Sequence, residues 1–319
     1  SGLHQAPYTN WTTAATNIQA AINYSSNDFD IVMVAAGTYA GVSNKNLDFG
    51  GKKIMLVSLT GASNTIIDCQ NSGRGFYFHS GESAIATVSG FTVRNGATSN
   101  GGGVYCKDSD PTIWNCLIRS NAATADGGGI FIDDSSPTIT NCVVSWNTAA
   151  DDGGGIRCKG QSAAVIRWST IEQNASTNNG GGIMLTGKNN GSLFDDCDLL
   201  GNRTYGDGGG IASETNNTRI TNCLISGNLA YDNGGGIFSL GCATVTVCVV
   251  ANNQSYDHGG GIYFKETLVG LVSGCTVTNN VGVDAGGIGC NTVNNGLLIR
   301  NCYVYANRAY QDGGGFRFK

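Results

Sequence analysis

The sequence predicts an all-β fold: a right-handed, single-stranded parallel β-helix with coils of about 26 residues and a short capping α-helix at its N-terminus. Three rows of residues that recur with one period are the basis of this prediction. Glycine triplets form the first row and recur in steps of 25 to 28 residues, beginning at Gly101, Gly127, Gly153, Gly180, Gly208, Gly234, Gly259 and Gly313, with a degenerate copy at Ala285-Gly286-Gly287. A unit of this length has short β-type runs without helical periodicity, so it buries its apolar face only by stacking on copies of itself. Equivalent strands then pair in parallel about 4.8 Å apart, and the connection rule favours a right-handed coil.

An apolar residue follows each triplet, and we expect it to point into the core. These residues are Val104, Ile130, Ile156, Ile183, Ile211, Ile237, Ile262, Ile288 and Phe316. Stacked at the coil spacing, they would form a continuous ladder of branched aliphatic side chains. Every triplet leads into a β-type run and not into a helix, so a phosphate-binding loop is excluded.

The second row consists of asparagines that end short β-type runs. Its members are Asn95, Asn121, Asn147, Asn174, Asn202, Asn228, Asn253, Asn280 and Asn307. We expect each to lie at a corner, where a short amide tolerates a left-handed backbone and bonds to its own backbone and to the next Asn.

Five residues before each asparagine stands a member of the third row, usually cysteine. This row comprises Gly90, Cys116, Cys142, Ser169, Cys197, Cys223, Cys248, Cys275 and Cys302. Three further cysteines, Cys106, Cys158 and Cys290, share a position with Ile132, Leu185 and Phe264. Exchange with apolar or small residues predicts free thiols that fill the core. Side chains in register point in parallel, which suits a disulfide poorly, and the sequence has no CxxC pair for zinc.

The chain is expected to form a single domain, residues 1–319, with the regular coils at 95–319 and irregular coils at 30–94. Strands are predicted at 30–34, 53–57, 65–68, 75–78 and 91–94. Residues 1–29 would hold the capping helix, from Thr12 to Ile22, with Asn10 or Thr9 as its N-cap; a partner-binding helix is the alternative. The sequence stops in the middle of a coil, from which we expect either more protein or an edge closed by another chain.

Composition argues against two classes of partner. The formal charge is −5 with only 13% charged residues, whereas nucleic acids and anionic membranes select basic surfaces. No apolar run approaches the roughly 18 residues of a membrane span. We therefore expect neither nucleic-acid binding nor membrane insertion.

Two stretches resemble a known family. Trp11-Thr-Thr-Ala-Ala-Thr-Asn-Ile-Gln-Ala-Ala-Ile22, followed by Val34-Ala-Ala-Gly-Thr-Tyr39, resembles the opening of the pectate-lyase-like right-handed β-helix superfamily. The later Pro-Thr-Ile-x-Asn-Cys and Gly-Gly-Gly-Ile units are similar to those of bacterial surface β-helices, including the polymorphic outer-membrane proteins. The resemblance implies an extracellular or cell-surface location. It leaves the function open, because this fold supports lyases, hydrolases and adhesins alike.

Acidic and amide residues precede the triplets in a fourth row. This row runs through Asn100, Asp126, Asp152, Asn179, Asp207, Asn233, His258, Asp284 and Asp312, with Asp151, Asp232 and Asp257 on the same edge. One interpretation is a solvated row of turn residues. The other is calcium bridging, with Asp126, Asp151, Asp152, Asp207, Asp232 and Asp257 as ligands. No other cofactor is expected.

Catalytic constellations are not apparent in the sequence. Glycosidase chemistry needs paired acids at a set separation, but the pairs at 133–134, 151–152 and 195–196 recur as turn elements of the repeat. The chain has three histidines, and one of them, His258, occupies the acidic row. We therefore expect no enzyme activity.

The residue after each inward apolar one should face solvent. This outward row is Tyr105, Phe131, Arg157, Met184, Ala212, Phe238, Tyr263, Gly289 and Arg317. We predict that Tyr105, Phe131, Met184, Phe238 and Tyr263 form a contact surface, for a glycan or a neighbouring subunit.

Two functions follow from these observations. The favoured one is a non-catalytic extracellular structural or cell-surface protein, self-assembling into fibres through open coil ends by strand addition or acting as an adhesin or passenger scaffold. The alternative is a polysaccharide-binding or lyase-type β-helix that uses calcium.

Overall fold

Short parallel strands build one continuous β-helix. The computed structural model describes residues 8, 10–187, 191–214, 216–266, 269–291 and 296–318. Within these residues the strands form four parallel sheets, numbered 1 to 4 in the order in which a coil passes through them, with 11, 11, 9 and 10 strands. Each coil pairs in register with its neighbours: Ile130, for example, lies between Val104 and Ile156. The predicted all-β parallel solenoid is thus confirmed.

The strand bounds follow the repeat. Sheet 1 contains Ile31–Val34, Met55–Ser58, Thr87–Ser89, Thr112–Trp114, Thr138–Thr140, Val165–Arg167, Leu193–Asp195, Asn216–Thr221, Cys242–Thr246, Gly270–Ser273 and Leu297–Arg300. Sheet 2 contains Gly37–Tyr39, Thr65–Asp68, Thr92–Arg94, Leu117–Arg119, Val143–Ser145, Thr170–Glu172, Asp198–Leu200, Leu224–Ser226, Val249–Ala251, Thr276–Thr278 and Tyr303–Tyr305. Sheet 3 contains Ala97–Thr98, Ala122–Ala123, Thr148–Ala149, Ala175–Ser176, Arg203–Thr204, Leu229–Ala230, Gln254–Ser255, Val281–Gly282 and Arg308–Ala309. Sheet 4 contains Phe76–Phe78, Val104–Lys107, Ile130–Asp133, Ile156–Lys159, Ile183–Leu185, Ile211–Ser213, Ile237–Leu240, Ile262–Lys265, Ile288–Asn291 and Phe316–Phe318.

The apolar and thiol rows lie inside the coils, as predicted. The row that follows the triplets is buried from Val104 to Ile288; Phe316, in the last described coil, is 43% exposed. All twelve cysteines are free thiols, which confirms that prediction. Burial of these branched side chains, at roughly 1.5–3 kcal/mol each, is the main favourable term in stacking one coil on the next.

The asparagine row forms a buried amide ladder. From Asn147 to Asn307, each Oδ1 accepts hydrogen bonds from the backbone N–H and the Nδ2 of the asparagine one coil earlier, at 2.9–3.0 Å. Each Nδ2 from Asn121 onward also donates to a strand carbonyl. The predicted bonds between successive asparagines are therefore confirmed.

The predicted left-handed backbone at these asparagines is wrong by one residue. Positive φ occurs at the residue immediately before each one, between 53° and 68°, at Ser120, Trp146, Gln173, Gly201, Gly227, Asn252, Asn279 and Ala306. The left-handed residue turns the chain, so the next side chain points inward and its amide fills the corner. The predicted first members of the asparagine and cysteine rows are also displaced by one residue. Asn95 and Gly90 are corner residues with positive φ. The register shows that Gly96 occupies the asparagine row in this coil and that Phe91 occupies the cysteine row.

The N-terminal helix is shorter and begins later than predicted. Helix α1 spans Ile18–Tyr24, and its N-cap is Asn17, whose side chain accepts the N–H of Ala20 at 2.8 Å. Asn10 instead caps a turn by accepting the N–H groups of Thr12 and Thr13, and Thr9 lies outside the described residues. A 3-10 helix follows at Val42–Asn44. Ile18 and Ile22 are buried in the main core cluster. Nowhere in the described chain is a helix long and apolar enough to cross a membrane.

A buried carboxylate stabilises the corner between sheets 4 and 1. Glu82 is 1% exposed and accepts hydrogen bonds from the N–H groups of Gly51 and Ser80 and from the Ser109 hydroxyl, at 2.8–2.9 Å. Burial pushes the pKa of Glu82 upward, but these hydrogen bonds outweigh it and hold the pKa below its ordinary value. Glu82 therefore stabilises the fold in its charged form.

We expect Glu82→Gln to lower the free energy of unfolding at pH 7 by about 1–3 kcal/mol, because charge-assisted hydrogen bonds are lost. A carboxyl whose pKa is depressed in the folded state stabilises the protein above its unfolded pKa, about 4.3. That stabilisation is lost as the pH falls through the folded value. Urea unfolding between pH 3 and 7 should show the difference narrowing below about pH 4.3. Glu172→Gln, on the half-exposed face of sheet 2, is the control. A difference independent of pH would contradict this assignment.

Candidate binding surface

The predicted outward contact surface is buried, so that prediction is wrong. Phe131, Met184, Phe238 and Tyr263 are 1–4% exposed, and Tyr105 is half-buried. These side chains do lie on the outer face of sheet 4, as predicted. Met184, Ala212, Phe238 and Tyr263 pack into a second small core there, against Leu240.

The turn ahead of each triplet covers this outer face. The first glycine of each triplet has positive φ and lies against the outward row: a Cβ at Gly180 would be 2.6 Å from the Cβ of Met184. At the N-terminal end, the Arg74 guanidinium lies over the rings of Tyr77 and Tyr105, at 4.7 and 5.0 Å. Sequence alternation alone could not show that the chain folds back over its own strand.

The acidic row forms a third ladder along this covering turn. Oδ1 of each residue from Asn100 to Asn233 accepts the backbone N–H of its equivalent in the next coil, at 2.9–3.2 Å. Asp126 and Asp152 also face the buried Arg157 guanidinium, at 3.9 and 3.4 Å. Burial raises the pKa of Asp152 above its ordinary value, although Arg157 opposes this effect. Burial likewise raises the pKa of Asp207. These residues therefore act as partly buried hydrogen-bond acceptors that join the turns of successive coils.

The structure does not bring the predicted calcium ligands together as one set. Among the described residues, no three His, Cys, Asp or Glu side chains converge as a metal site. Asp151 accepts a hydrogen bond from Asn178, and Asp257 lies 3.0 Å from His258 Nδ1. Calcium binding stays a prediction.

The other acid pairs are corner residues. Asp134 and Asp196 have positive φ, 47° and 51°. Asp134 accepts the N–H of Gln161, and Asp195 lies 3.5 Å from Arg167. Each pair thus participates in the corner of its own coil, as the repeat predicted.

An exposed tyrosine ladder is the surface feature that the sequence analysis missed. Tyr205, Tyr231 and Tyr256 occupy one row on successive coils just after sheet 3, and are 64%, 45% and 51% exposed. Their ring centroids are 4.9 and 5.0 Å apart. Tyr310 occupies the same position two coils further on, 60% exposed and beneath the Arg308 guanidinium. The signal was present in the sequence, since each tyrosine stands three residues before a glycine triplet.

A shallow groove begins where the tyrosine ladder ends. The row changes from Thr177 to Tyr205 between two coils, so the ring face of Tyr205 opposite Tyr231 has no aromatic neighbour in its row. The groove has a volume of about 200 Å³ and is lined by Thr148, Ala149, Ala175, Ser176, Thr177, Arg203, Thr204, Tyr205, Leu229 and Tyr231. It thus combines an aromatic wall, a floor of small residues, several hydroxyls and one guanidinium.

A larger cavity, of about 520 Å³, lies at the N-terminal end between Trp11, helix α1 and the first strand of sheet 1. Its exposed apolar residues include Trp11, Ile31 and Met33. It belongs to the cap and has no counterpart in the repeat rows.

Comparisons with known proteins support the fold. A family model described as "Right handed beta helix region" matches residues 102–254. The solved structure of Geobacillus virus E2 ORF18 has a TM-score of 0.52 and 17% identity over 89% of this chain and 55% of its own, so this chain spans about half of that protein. The A-module of Azotobacter vinelandii mannuronan C-5 epimerase AlgE6 has a TM-score of 0.44 and 14% identity, over 95% and 94% of the two chains. No curated protein matched the sequence. The sheet topology and the family match together show that the chain has a right-handed parallel β-helix fold.

Proposed function

We propose that this chain is a non-catalytic scaffold of an extracellular or cell-surface protein, and that it binds glycans through its exposed tyrosine ladder. The ladder of Tyr205, Tyr231 and Tyr256 carries the proposal. Stacked aromatic side chains with about half of their surface in solvent are unusual unless a partner covers them. The resemblance of the repeat units to bacterial surface β-helices supports the location.

The scaffold part rests on how the polar side chains of the repeat are used. The amides of the asparagine ladder and the carboxylates of Asp126, Asp152 and Asp207 accept backbone N–H groups of neighbouring coils. Arg157 is paired with two of these carboxylates. Their hydrogen-bonding capacity thus serves the fold, and we do not extend the proposal to lyase chemistry.

The ligand class follows from the chemistry of the groove. A pyranose ring has an apolar face of C–H groups that packs on an aromatic ring, and a rim of hydroxyls. The open face of Tyr205 offers the first contact. Thr148, Thr177 and Arg203 supply the polar groups that fix orientation, as a few polar groups do in most ligand pockets. The ladder continues along the rod axis, so a linear polymer can follow it over several coils.

We expect the variant Tyr205→Ala/Tyr231→Ala to bind polysaccharides at least about tenfold more weakly than wild type, because truncating an aromatic side chain that the ligand covers on binding commonly costs more than 1 kcal/mol. Affinity electrophoresis of the purified chain against neutral and uronic polymers measures the change. Trp146→Ala is the matched control, since Trp146 is 62% exposed at another corner.

Equal retention of the double variant and wild type would overturn the role of the ladder. If no polymer on the panel retains the wild type, the glycan proposal fails. Light scattering on the same samples separates this outcome from self-association, the other predicted partner: a mass that rises with concentration and falls in the tyrosine variant would assign the ladder to a contact between copies.

A further inference from the structure

Buried thiols form a column along the inside of the corner between sheets 1 and 2. Cys116 and Cys142 occupy adjacent coils, Ser169 interrupts the column, and five thiols follow in consecutive coils, from Cys197 to Cys302. Exposure is 0–3% for all except Cys302, which is half-buried. Because the strands pair in register, successive thiols repeat at about the parallel-strand spacing of 4.8 Å.

The thiols of adjacent coils lie close to one another along the column. Each thiol donates to the carbonyl oxygen two residues earlier, at 3.1–3.4 Å. The sulfurs of Cys142 and Cys275 accept the backbone N–H of the cysteine one coil earlier, Cys116 and Cys248, at 3.5 Å. The neighbouring thiols of Cys197 and Cys248 act on the pKa of Cys223 in opposite directions, and burial helps to raise that pKa to about 12. Successive sulfurs therefore occupy equivalent positions along the rod axis.

We propose that this column binds monovalent soft cations, Cu(I) foremost, with each ion bridging the thiols of two adjacent coils. Thiolates are the preferred protein ligands of Cu(I), and a d¹⁰ cation of this kind readily takes two sulfurs in a line. Two metal–sulfur bonds of about 2.3 Å span nearly the coil spacing. The side chains point into the coil across the rod axis, so an ion between two sulfurs meets each at close to a right angle to its Cβ–Sγ bond.

The binding step balances without any redox change. One Cu(I) replaces the proton of one of the two thiols, giving a thiolate–Cu(I)–thiol bridge and releasing one proton to solvent. The net charge of the interior stays the same, which avoids the large cost of burying an isolated charge. A tetrahedral ion such as zinc needs four ligands, and among the described residues no three suitable side chains converge. The column therefore selects a two-coordinate ion.

The chain contains its own controls. Cys106 and Cys158 lie on either side of Ile132 in a row of sheet 4, so neither has an adjacent thiol in its row. Ser169 is 3% exposed and fills the single gap between Cys142 and Cys197. Substituting cysteine there would make the column continuous with a change of one atom.

Cu(I) transferred anaerobically from a chromophoric chelator to the full native chain measures uptake. Ions in adjacent gaps would repel each other at about 4.8 Å, so alternate filling predicts about three ions per wild-type chain: one at the isolated pair and two in the run of five. Ser169→Cys should raise uptake by about one ion, and Cys142→Ser should lower it by about one. Cys106→Ser should leave it unchanged. Uptake through a closed core requires local opening and should be slow.

A near-ultraviolet charge-transfer band and a rise in Tm should accompany uptake in proportion to the ions bound. Circular dichroism checks that each variant is folded. If folded Ser169→Cys binds no more Cu(I) than wild type, or if Cys106→Ser loses as much as Cys142→Ser, the column serves only for packing. Zinc uptake that follows the same variants would overturn the two-coordinate geometry. None of these readouts depends on glycan binding.

Discussion

Replacing Asn174 by alanine is expected to lower the free energy of unfolding by about 3–5 kcal/mol, because the amide is fully buried and its partners cannot reach water. Its Oδ1 accepts both the N–H and the Nδ2 of Asn147, and its Nδ2 donates to the Val144 carbonyl and to Asn202 Oδ1. Truncation leaves these groups unpaired and opens a cavity at a corner in the middle of the rod.

Urea unfolding followed by circular dichroism measures this effect. Asn178→Ala is the control, since its exposed side chain donates to Asp151 on the rod surface, and such changes usually stay within about 0.5 kcal/mol. A solenoid couples mainly neighbouring coils, so a broadened transition is also expected in the Asn174 variant. Equal midpoints for both variants would show that the asparagine ladder contributes little to stability.

The second large effect is expected from Gly181→Ala, at the middle glycine of a triplet. A Cβ there would lie 2.4 Å from the carbonyl oxygen of Arg203 in the next coil. The obstacle is backbone and cannot rotate away, so the two coils must separate. We expect a loss of at least about 3 kcal/mol, at the upper end of overpacking costs, or failure to fold.

Gly227→Ala separates steric exclusion from backbone strain. Gly227 has a φ of 68°, but a Cβ there would meet nothing closer than 3.9 Å, so only the left-handed penalty of about 1–2 kcal/mol applies. Thermal and urea unfolding of the two variants, side by side, measure the difference. If Gly181→Ala lowers the free energy of unfolding no more than Gly227→Ala does, the triplets are needed for backbone conformation and not for close packing of the coils.

The rows in which each coil carries a residue of similar size and polarity were predictable from the sequence. Ile130 and Ile156 point inward because every coil repeats the same apolar position, and one register aligns all of them. Cys142 and Cys197 were recognised as core thiols because Ser169 replaces them in an intervening coil. The bonds between successive asparagines followed from the same stacking argument.

The candidate surface was less predictable. Tyr205, Tyr231 and Tyr256 stand at a fixed distance from the triplets in the sequence. The contact surface was nevertheless predicted on the outward row of sheet 4, because strand alternation was the only guide to exposure that the sequence offered. The helix start was misplaced because Asn10 and Asn17 are equally good caps by residue type. Only the bonds that each makes distinguish them.

The sequence by itself determined the period, the register and the inward rows, because stacking identical units leaves one arrangement in which every apolar residue is buried. Tertiary structure decided which outer face remains exposed. The turn before each triplet folds over sheet 4 and buries Phe131, Met184 and Phe238, whereas the tyrosines on the far side of that turn stay in solvent. The path of a turn across its own strand depends on corner geometry and on close contacts at glycines such as Gly180, which periodicity does not encode.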